Sequence, residues 1–507
     1  MNHAVGLPLL AQSNRYRGRT AIIDGRGTFT YADLLRTSSS VAAALLGGRK
    51  DLQEERIAFA VTPGFSWVAT QWGIWRAGGV AVPLPLTSPT PELEYFIDDS
   101  RPSAVVCDAS TLAQLSLVTA SRGGIRAFAY DQLVTRQATE PQEIGRDAGA
   151  KRRAMILYTS GTSNRPKGVV TTHANITAQI ESLVEAWEWS ADDCILLCLP
   201  LHHVHGIINV VSCAHWAGAT CQILPRFDAN AVWDSIARGR LTLFMAVPTI
   251  YTKLIARWDA ASEQRRKVLS SGCAGMRLMV SGSAALPVST LRRWKEISGH
   301  ILLERYGMTE IGMALSNPLH GDRVPGSVGK PLPGVEVRLV GEDAMPVSPG
   351  TAGEIEVRGP GVFTEYWGQP EATRDVSRAG WFRTGDTAVV ENGVYRILGR
   401  TSIDVLKTGG HKVSALEIEE VLRKHPAVAE CAVVGVPDAE WGERVGAAVV
   451  LNEGQALDLP SLRTWSLKLL ASHKVPSRLL VLDALPRNAM GKVLKSSVLG
   501  LFKARGD

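Results

Sequence analysis

Four groups of residues in this 507-residue chain have types and spacings suited to binding phosphates, a divalent cation and a ribose. The first is Tyr158–Gly168, reading Tyr-Thr-Ser-Gly-Thr-Ser-Asn-Arg-Pro-Lys-Gly directly after the apolar run Met155–Leu157. Small hydroxyl residues around glycine let backbone N–H groups and side-chain hydroxyls converge on phosphate oxygens, and Lys167 adds positive charge. It is not a Walker A loop, in which the lysine follows a glycine, because Lys167 precedes one. Taken alone, the segment also reads as a surface turn between strands.

The second group is Glu304-Arg305-Tyr306-Gly307-Met308-Thr309-Glu310, with Ser281-Gly282-Ser283-Ala284 upstream. A carboxylate soon after a tight glycine turn suits Mg²⁺, which takes few protein ligands and completes its shell with water and phosphate oxygens. Alone, such a glutamate is more often a solvated acid. The Ser281–Ala284 turn follows the apolar run Met276–Val280, at a strand's C-terminal end, where doubly wound sheets bind ligands. The third group is Trp381–Asp386 with Gly399-Arg400. A carboxylate at a Gly-Asp turn can accept hydrogen bonds from a ribose diol, although aspartate at a β-turn is also a common structural feature. The fourth is Lys407–Val413 with Pro486–Lys492, late loops whose lysines read individually as solvated.

Positioning these groups calls for α/β layers. Up to about residue 330, apolar runs such as Ile57–Val61, Val80–Pro83, Ser103–Cys107, Cys194–Leu199, Leu243–Val247 and Met276–Val280 alternate with helical patterns. Runs without polar alternation suit parallel strands covered on both faces. Thr172–Trp187 predicts a helix capped by Thr172, with Ile176, Ile180, Leu183, Val184 and Trp187 on one face. From about 326 to 400, glycine and proline punctuate short alternating strands (Val335–Leu339, Glu354–Arg358, Val394–Leu398), which predicts an antiparallel β-rich subdomain. After Arg400 the pattern becomes α+β, with helices at Ser414–His425 and Leu462–Ala471 and strands at Ala427–Val436, Val445–Asn452 and Ser477–Leu482. The expected organisation is α/β: a large N-terminal domain over 1–400, made of layered α/β subdomains and the β-rich subdomain, then a small mobile α+β domain over 401–507.

Composition narrows the function classes. The balance of 55 basic and 49 acidic residues leaves +6, without a basic block, so charge does not point to nucleic acid. The seven cysteines are scattered and lack paired spacing, which predicts reduced, buried thiols. No apolar run reaches the length of a membrane span. The first acidic residue is Asp24, and the segment before it carries Arg15, Arg17 and Arg19. An amphipathic helix leading into a strand at Thr20–Ile23 is preferred there over a transit peptide. A cytoplasmic location is expected, or the mitochondrial matrix in a eukaryote.

Taken in order, the motifs resemble those of the adenylate-forming (ANL) superfamily of acyl-CoA synthetases, adenylation domains and luciferases. The resemblance runs from Thr28-Phe29-Thr30-Tyr31-Ala32-Asp33-Leu34 to the Lys492 loop. Within the superfamily it is strongest toward malonyl-CoA synthetases and their mitochondrial-type acyl-CoA synthetase relatives. The segments Leu199–Gly206, Met245–Tyr251, Met279–Ala285, Leu303–Met313 and Lys407–Glu417 carry it.

The resemblance implies acyl-adenylate formation from ATP with Mg²⁺, then transfer to coenzyme A. It implies that Thr159, Ser160, Gly161, Thr162 and Lys167 hold the β- and γ-phosphates, Glu310 the Mg²⁺, and Thr309 the α-phosphate. Ser283, Ala284 and Tyr306 match adenine-side contacts, and Asp386 and Arg400 match ribose contacts. Lys492 matches the adenylation lysine, Gly409 and Gly410 the face turned to CoA, and His203 the histidine at the acyl site, preferred over the neighbouring His202. A hinge is implied within Thr401–Asp404. The sequence departs from the family pattern at Ser163 and Asn164, which stand where a second threonine and a glycine are usual. Asparagine best tolerates the positive φ that a glycine would supply there.

A second carboxylate on the substrate needs a fixed cation, because an unpaired buried charge is very costly. Arg305 is the candidate, with His205, Ser281, Met308 and Met313 completing a small pocket for malonate or methylmalonate. The alternative is a structural pair between Arg305 and Glu304 or another acid. Other readings remain: a CoA ligase for another short or medium-chain acid, an adenylation enzyme that loads a carrier-protein thiol, or a non-catalytic nucleotide binder on the same fold.

Overall fold

The structure, a computed structural model, describes residues 7–135, 149–159, 165–487 and 493–505. The chain divides into two compact units. The first comprises 1–325, 329–336 and 357–382, and the second 326–328, 337–356 and 383–507.

Two large sheets organise the first unit. One has seven strands in the order Glu365–Tyr366, Lys167–Thr172, Arg153–Thr159, Val80–Pro83, Arg56–Ala60, Ala104–Cys107 and Arg126–Ala129. Its last five strands are parallel, and the hairpin Arg153–Thr159/Lys167–Thr172 is antiparallel. The other has nine strands, with a parallel centre that includes Leu303–Met308, Leu278–Ser281, Leu243–Ala246 and Cys194–Leu197 as neighbours. The strands that sequence assigned from unbroken Val/Ile/Leu runs are buried as expected; Val80–Pro83, Ala104–Cys107 and Leu243–Ala246 are buried at every position.

Capping chemistry sets the helices. Thr30 and Asp33 form a reciprocal capping box that starts Tyr31–Leu46, and Thr172 with Asn175 does the same for His173–Ala186. Helix Phe65–Arg76 is buried on all sides from Phe65 to Trp75, as a helix between layers must be. A tryptophan pair, Trp233 and Trp294, stacks with centroids 5.5 Å apart, and Tyr251 meets Trp294 edge-on at 4.9 Å. All seven cysteines are free and six are buried, with burial pushing the thiols of Cys198, Cys273 and Cys431 up to about 12. Among the described residues no helix is long and apolar enough to cross a membrane.

In the second unit, Trp381–Glu391 pairs antiparallel with Val394–Arg400. A separate sheet orders His411–Ser414, Val405–Thr408, Gly442–Leu451 and Val428–Asp438, with Arg478–Val481 added parallel to Gly442–Leu451. One expected helix is displaced: it spans Leu459–Ser466, three residues before the predicted start. Asp458 caps it by accepting from the Ser461 N–H at 2.9 Å, and Pro460 occupies its first turn; the apolar periodicity alone overlooked both signals.

Packing between Tyr31–Leu46 and Phe65–Arg76 depends on Gly73. A Cβ there would stand 2.5 Å from Val41 Cβ and closer still to Cγ1, a short side chain that cannot swing away. Gly73→Ala should therefore destabilise the protein by about 1–3 kcal/mol despite alanine's helix propensity, read as a lower denaturant midpoint with an unchanged slope.

Candidate active site

Parallel strands in one sheet end on the same edge, and that edge gathers the candidate acid-binding residues. Cys194–Leu197 leads into the turn carrying His202 and His203 and then a π-helix, His205–Ser212. Leu278–Ser281 leads into Gly282 and Ser283, and Leu303–Met308 carries Arg305 near its start. The guanidinium of Arg305 lies against Gly282, where any Cβ would fall 2.5 Å from Arg305 Cζ and Nε. Any side chain at position 282 would therefore displace the guanidinium, a role that sequence did not assign. Its signal was the lone glycine between two serines at a strand end.

Ser283 bridges the neighbours. Its Oγ lies 3.3 Å from His205 Nδ1 and accepts from Arg305 Nη2 at 3.4 Å, and its backbone sits at φ 69°, a left-handed conformation disfavoured for serine. Arg305 is 3% exposed, its Nε has no hydrogen-bond partner, and among the described residues no carboxylate pairs with it. Burial pulls its pKa down to about 9. Glu304 lies one strand position away and so on the opposite face, which excludes the structural pair between the two. Burial, and then the charge of Arg305, hold His205 neutral, with its pKa well below the usual value and its Nε2 unpartnered.

The other expected pocket residues divide. Met313 lies over Gly307, beyond a register break that follows Tyr306, with its Cε 2.7 Å from where a Cβ on Gly307 would be. Met308 is half-buried at the end of its strand. Ser281 is buried with an unpartnered Oγ but stands in register with Glu304, so alternation puts it on the face opposite Arg305. His202 and His203 pack ring to ring at 4.2 Å, and burial lowers both pKa values, that of His202 to about 3.

A second cluster forms where the hairpin Leu303–Met308/Gly312–Ser316 turns through Thr309 and Glu310. Glu310 is 5% exposed, and its Oε1 accepts the Tyr366 hydroxyl at 2.8 Å. Its carbonyl accepts the Phe363 N–H at 2.7 Å. Lys167 Nζ sits 4.9 Å from the centre of the same Tyr366 ring. Thr159 and Lys167 are directly paired across their hairpin. Ser160, Gly161 and Thr162 between them lie outside the described residues, as does Lys492. Tyr366 was not anticipated, and no local pattern marks it. Tyr306 and Thr309 are half-buried, whereas Ala284 is exposed. Among the described residues no three His, Cys, Asp or Glu side chains group as metal ligands.

In the second unit, Asp386 is not at a turn, as its Gly-Asp context predicted, but within strand Trp381–Glu391. Gly385, at φ 72°, distorts the strand just before it. Register places Asp386 opposite Arg400, and Arg400 Nε lies 3.2 Å from its Oδ1. Arg400 Nη1 also donates to the Thr384 carbonyl at 2.6 Å. Gly409 and Gly410 form the two-residue turn between Val405–Thr408 and His411–Ser414, with φ of 53° and 79° as a type I′ hairpin requires.

Comparison with known proteins adds context. The AMP-binding enzyme family matches residues 9–367, and the AMP-binding enzyme C-terminal domain matches residues 417–492. The chain is 47% identical to the mitochondrial malonate–CoA ligase of Mus musculus, over 97% of this chain and 90% of the mouse protein. It is 40% identical to the malonate–CoA ligase of Arabidopsis thaliana, over 89% and 78%. The crystal structure of ATP-bound MatB from Rhodopseudomonas palustris superimposes with a TM-score of 0.88 at 36% identity, covering 98% of this chain and 99% of that one.

A buried, unpaired guanidinium is a cost to the fold. Arg305→Met should raise the unfolding free energy of the ligand-free protein by about 1–4 kcal/mol, seen as a higher thermal midpoint.

Proposed function

The chain belongs to the AMP-binding enzyme family, and on that premise we propose that it ligates malonate to coenzyme A through a malonyl adenylate, with methylmalonate a second candidate acid. The observation that carries the choice of acid is Arg305: a cation already buried, bonded to the Ser283 hydroxyl that also reaches His205, and lacking a carboxylate among the described residues. One substrate carboxylate would complete it, and the guanidinium fork suits that group. Neutral His205, with a free ring nitrogen, adds a hydrogen bond without competing for the charge.

The other carboxylate attacks the α-phosphorus of ATP and expels pyrophosphate. The thiolate of CoA then attacks the acyl carbon and expels AMP. The first step drives one anion onto another, so positioning and charge neutralisation dominate its catalysis. In this reading Lys167, with Thr159 to Thr162, holds the terminal phosphates, and Thr309 holds the α-phosphate. Ser283, Ala284 and Tyr306 face the adenine, and Asp386 and Arg400 the ribose. His203 stands at the mouth of the acyl site, and Lys492 offsets the charge between the attacking carboxylate and the phosphate.

Glu310 fits Mg²⁺ in its donor chemistry, as a single hard carboxylate held by the Tyr366 hydroxyl with the rest of a shell left to water and phosphate. Bound there, the ion would neutralise phosphate charge. The segment from 401 onward would withdraw Lys492 after adenylation and present Gly409 and Gly410 to CoA, with Thr401–Asp404 as the pivot. The separate match to the C-terminal domain supports that division.

An acid panel assayed for AMP release with ATP, Mg²⁺ and CoA tests the reading. Wild-type protein should prefer malonate to butyrate and longer monocarboxylates, and should form a free CoA thioester. Arg305→Ala should lower kcat/KM for malonate by about 30-fold to 1,000-fold and erase the preference. Full malonate selectivity in that variant would refute the assignment.

A further inference from the structure

The second unit contains a buried ion cluster that the proposed chemistry leaves unused. Lys495 opens the helix Lys495–Ala504, and its ammonium lies 2.6 Å from Asp404 Oδ1 and 2.7 Å from Glu419 Oε1. The three side chains are 12%, 15% and 5% exposed, respectively. Burial opposes the charge on the lysine, yet the two carboxylates hold its pKa above the ordinary value. Lysine in the first turn of a helix also opposes the helix dipole, so local preference does not explain the residue.

Its connections do. Asp404 uses its other oxygen to accept the backbone N–H of Arg400 at 3.0 Å, and its carbonyl accepts the Ala415 N–H at 2.7 Å. Glu419 is anchored in turn by the Val433 N–H at 2.9 Å and by Arg423 at 3.1 Å. On the other side, Lys495 follows Lys492 by three residues. Both feet of the 488–492 segment are tied: Arg487 and Val493 form an antiparallel bridge, and the Leu494 N–H donates to the Pro486 carbonyl at 2.8 Å. A continuous path therefore runs from Arg400 through Asp404 and Lys495 to the base of the segment carrying Lys492.

We propose that Lys495 is a positioning residue for acyl-adenylate formation, fixing the base of the Lys492 segment to the turn behind Arg400 through Asp404. It touches no substrate and acts through Lys492, so the inference rests on the role given to Lys492 above. Because Arg400 and Asp386 pair directly, the same path ties the ribose-side residues to Arg487, Val493 and Leu494 at the base of that segment.

The full-length protein tests this as Lys492→Ala, Lys495→Met, Lys495→Arg and the double variant Lys492→Ala/Lys495→Met. Three readouts are needed: malonate-dependent pyrophosphate exchange, thioester formation from supplied malonyl adenylate and CoA, and thermal unfolding. Lys495→Met should lower the kcat of exchange about 100-fold, the scale of a small misplacement of a catalytic group. The KM for malonate and the thioester step should change little, and Lys495→Arg should recover most of the loss. The double variant should be no slower than Lys492→Ala, because both act through one group. If Lys495→Met does not fold, Glu419→Gln/Lys495→Met removes a charge from each side and carries the same measurement. A folded variant with undiminished exchange, equal losses in both half-reactions, or failure of both Lys495→Met variants to fold overturns the proposal. A Lys492→Ala variant with full exchange instead overturns the role of Lys492 itself.

Discussion

A cation held in a dry place is the constraint around which the candidate site is built. Arg305 is deeply buried, and among the described residues its guanidinium hydrogen-bonds the Ser283 hydroxyl at 3.4 Å, a weak contact for a cation. Several features follow from keeping it there. Gly282 has no side chain because the guanidinium occupies that space. Ser283 takes a left-handed backbone that aims its hydroxyl at two partners. His205 is held neutral first by its own burial and then by the charge of Arg305 beside it. The strain and the unmet polar atoms are a cost to stability that, in the proposed function, a substrate carboxylate would offset.

The charged groups are seated on strands and hairpin turns, which hold position better than long loops. Arg305 and the Thr309–Glu310 turn belong to one hairpin, so the proposed acid-binding cation and the proposed magnesium carboxylate are spaced by covalent geometry and register. Tyr366 links Glu310 to the neighbourhood of Lys167, joining two segments that lie far apart in sequence. In the second unit, register sets Asp386 against Arg400 in the same manner. Where charge must be presented, the fold repeatedly uses a neighbouring strand as the support.

The amino-acid sequence by itself determined the layered α/β architecture, because unbroken Val/Ile/Leu runs admit little besides strands covered on both faces, and Thr-x-x-Asp or Thr-x-x-Asn patterns mark helix starts. It also offered Glu310 as a carboxylate after a glycine turn, and Arg305 and His205 once the family resemblance raised the question of a second substrate carboxylate. Tertiary structure decided what depends on distant approach. Gly282 became essential only once Arg305 lay on it, and Tyr366 entered the site only when its short strand paired with the Lys167 strand. Asp386 proved to be a strand residue because its pairing with Arg400 outweighs the local turn preference of Gly-Asp. Ser281 fell on the opposite face from Arg305 because alternation is set by register with a strand more than twenty residues away. Local composition specifies which elements form; which side chains meet is settled by pairings and packing between segments that no short stretch of sequence contains.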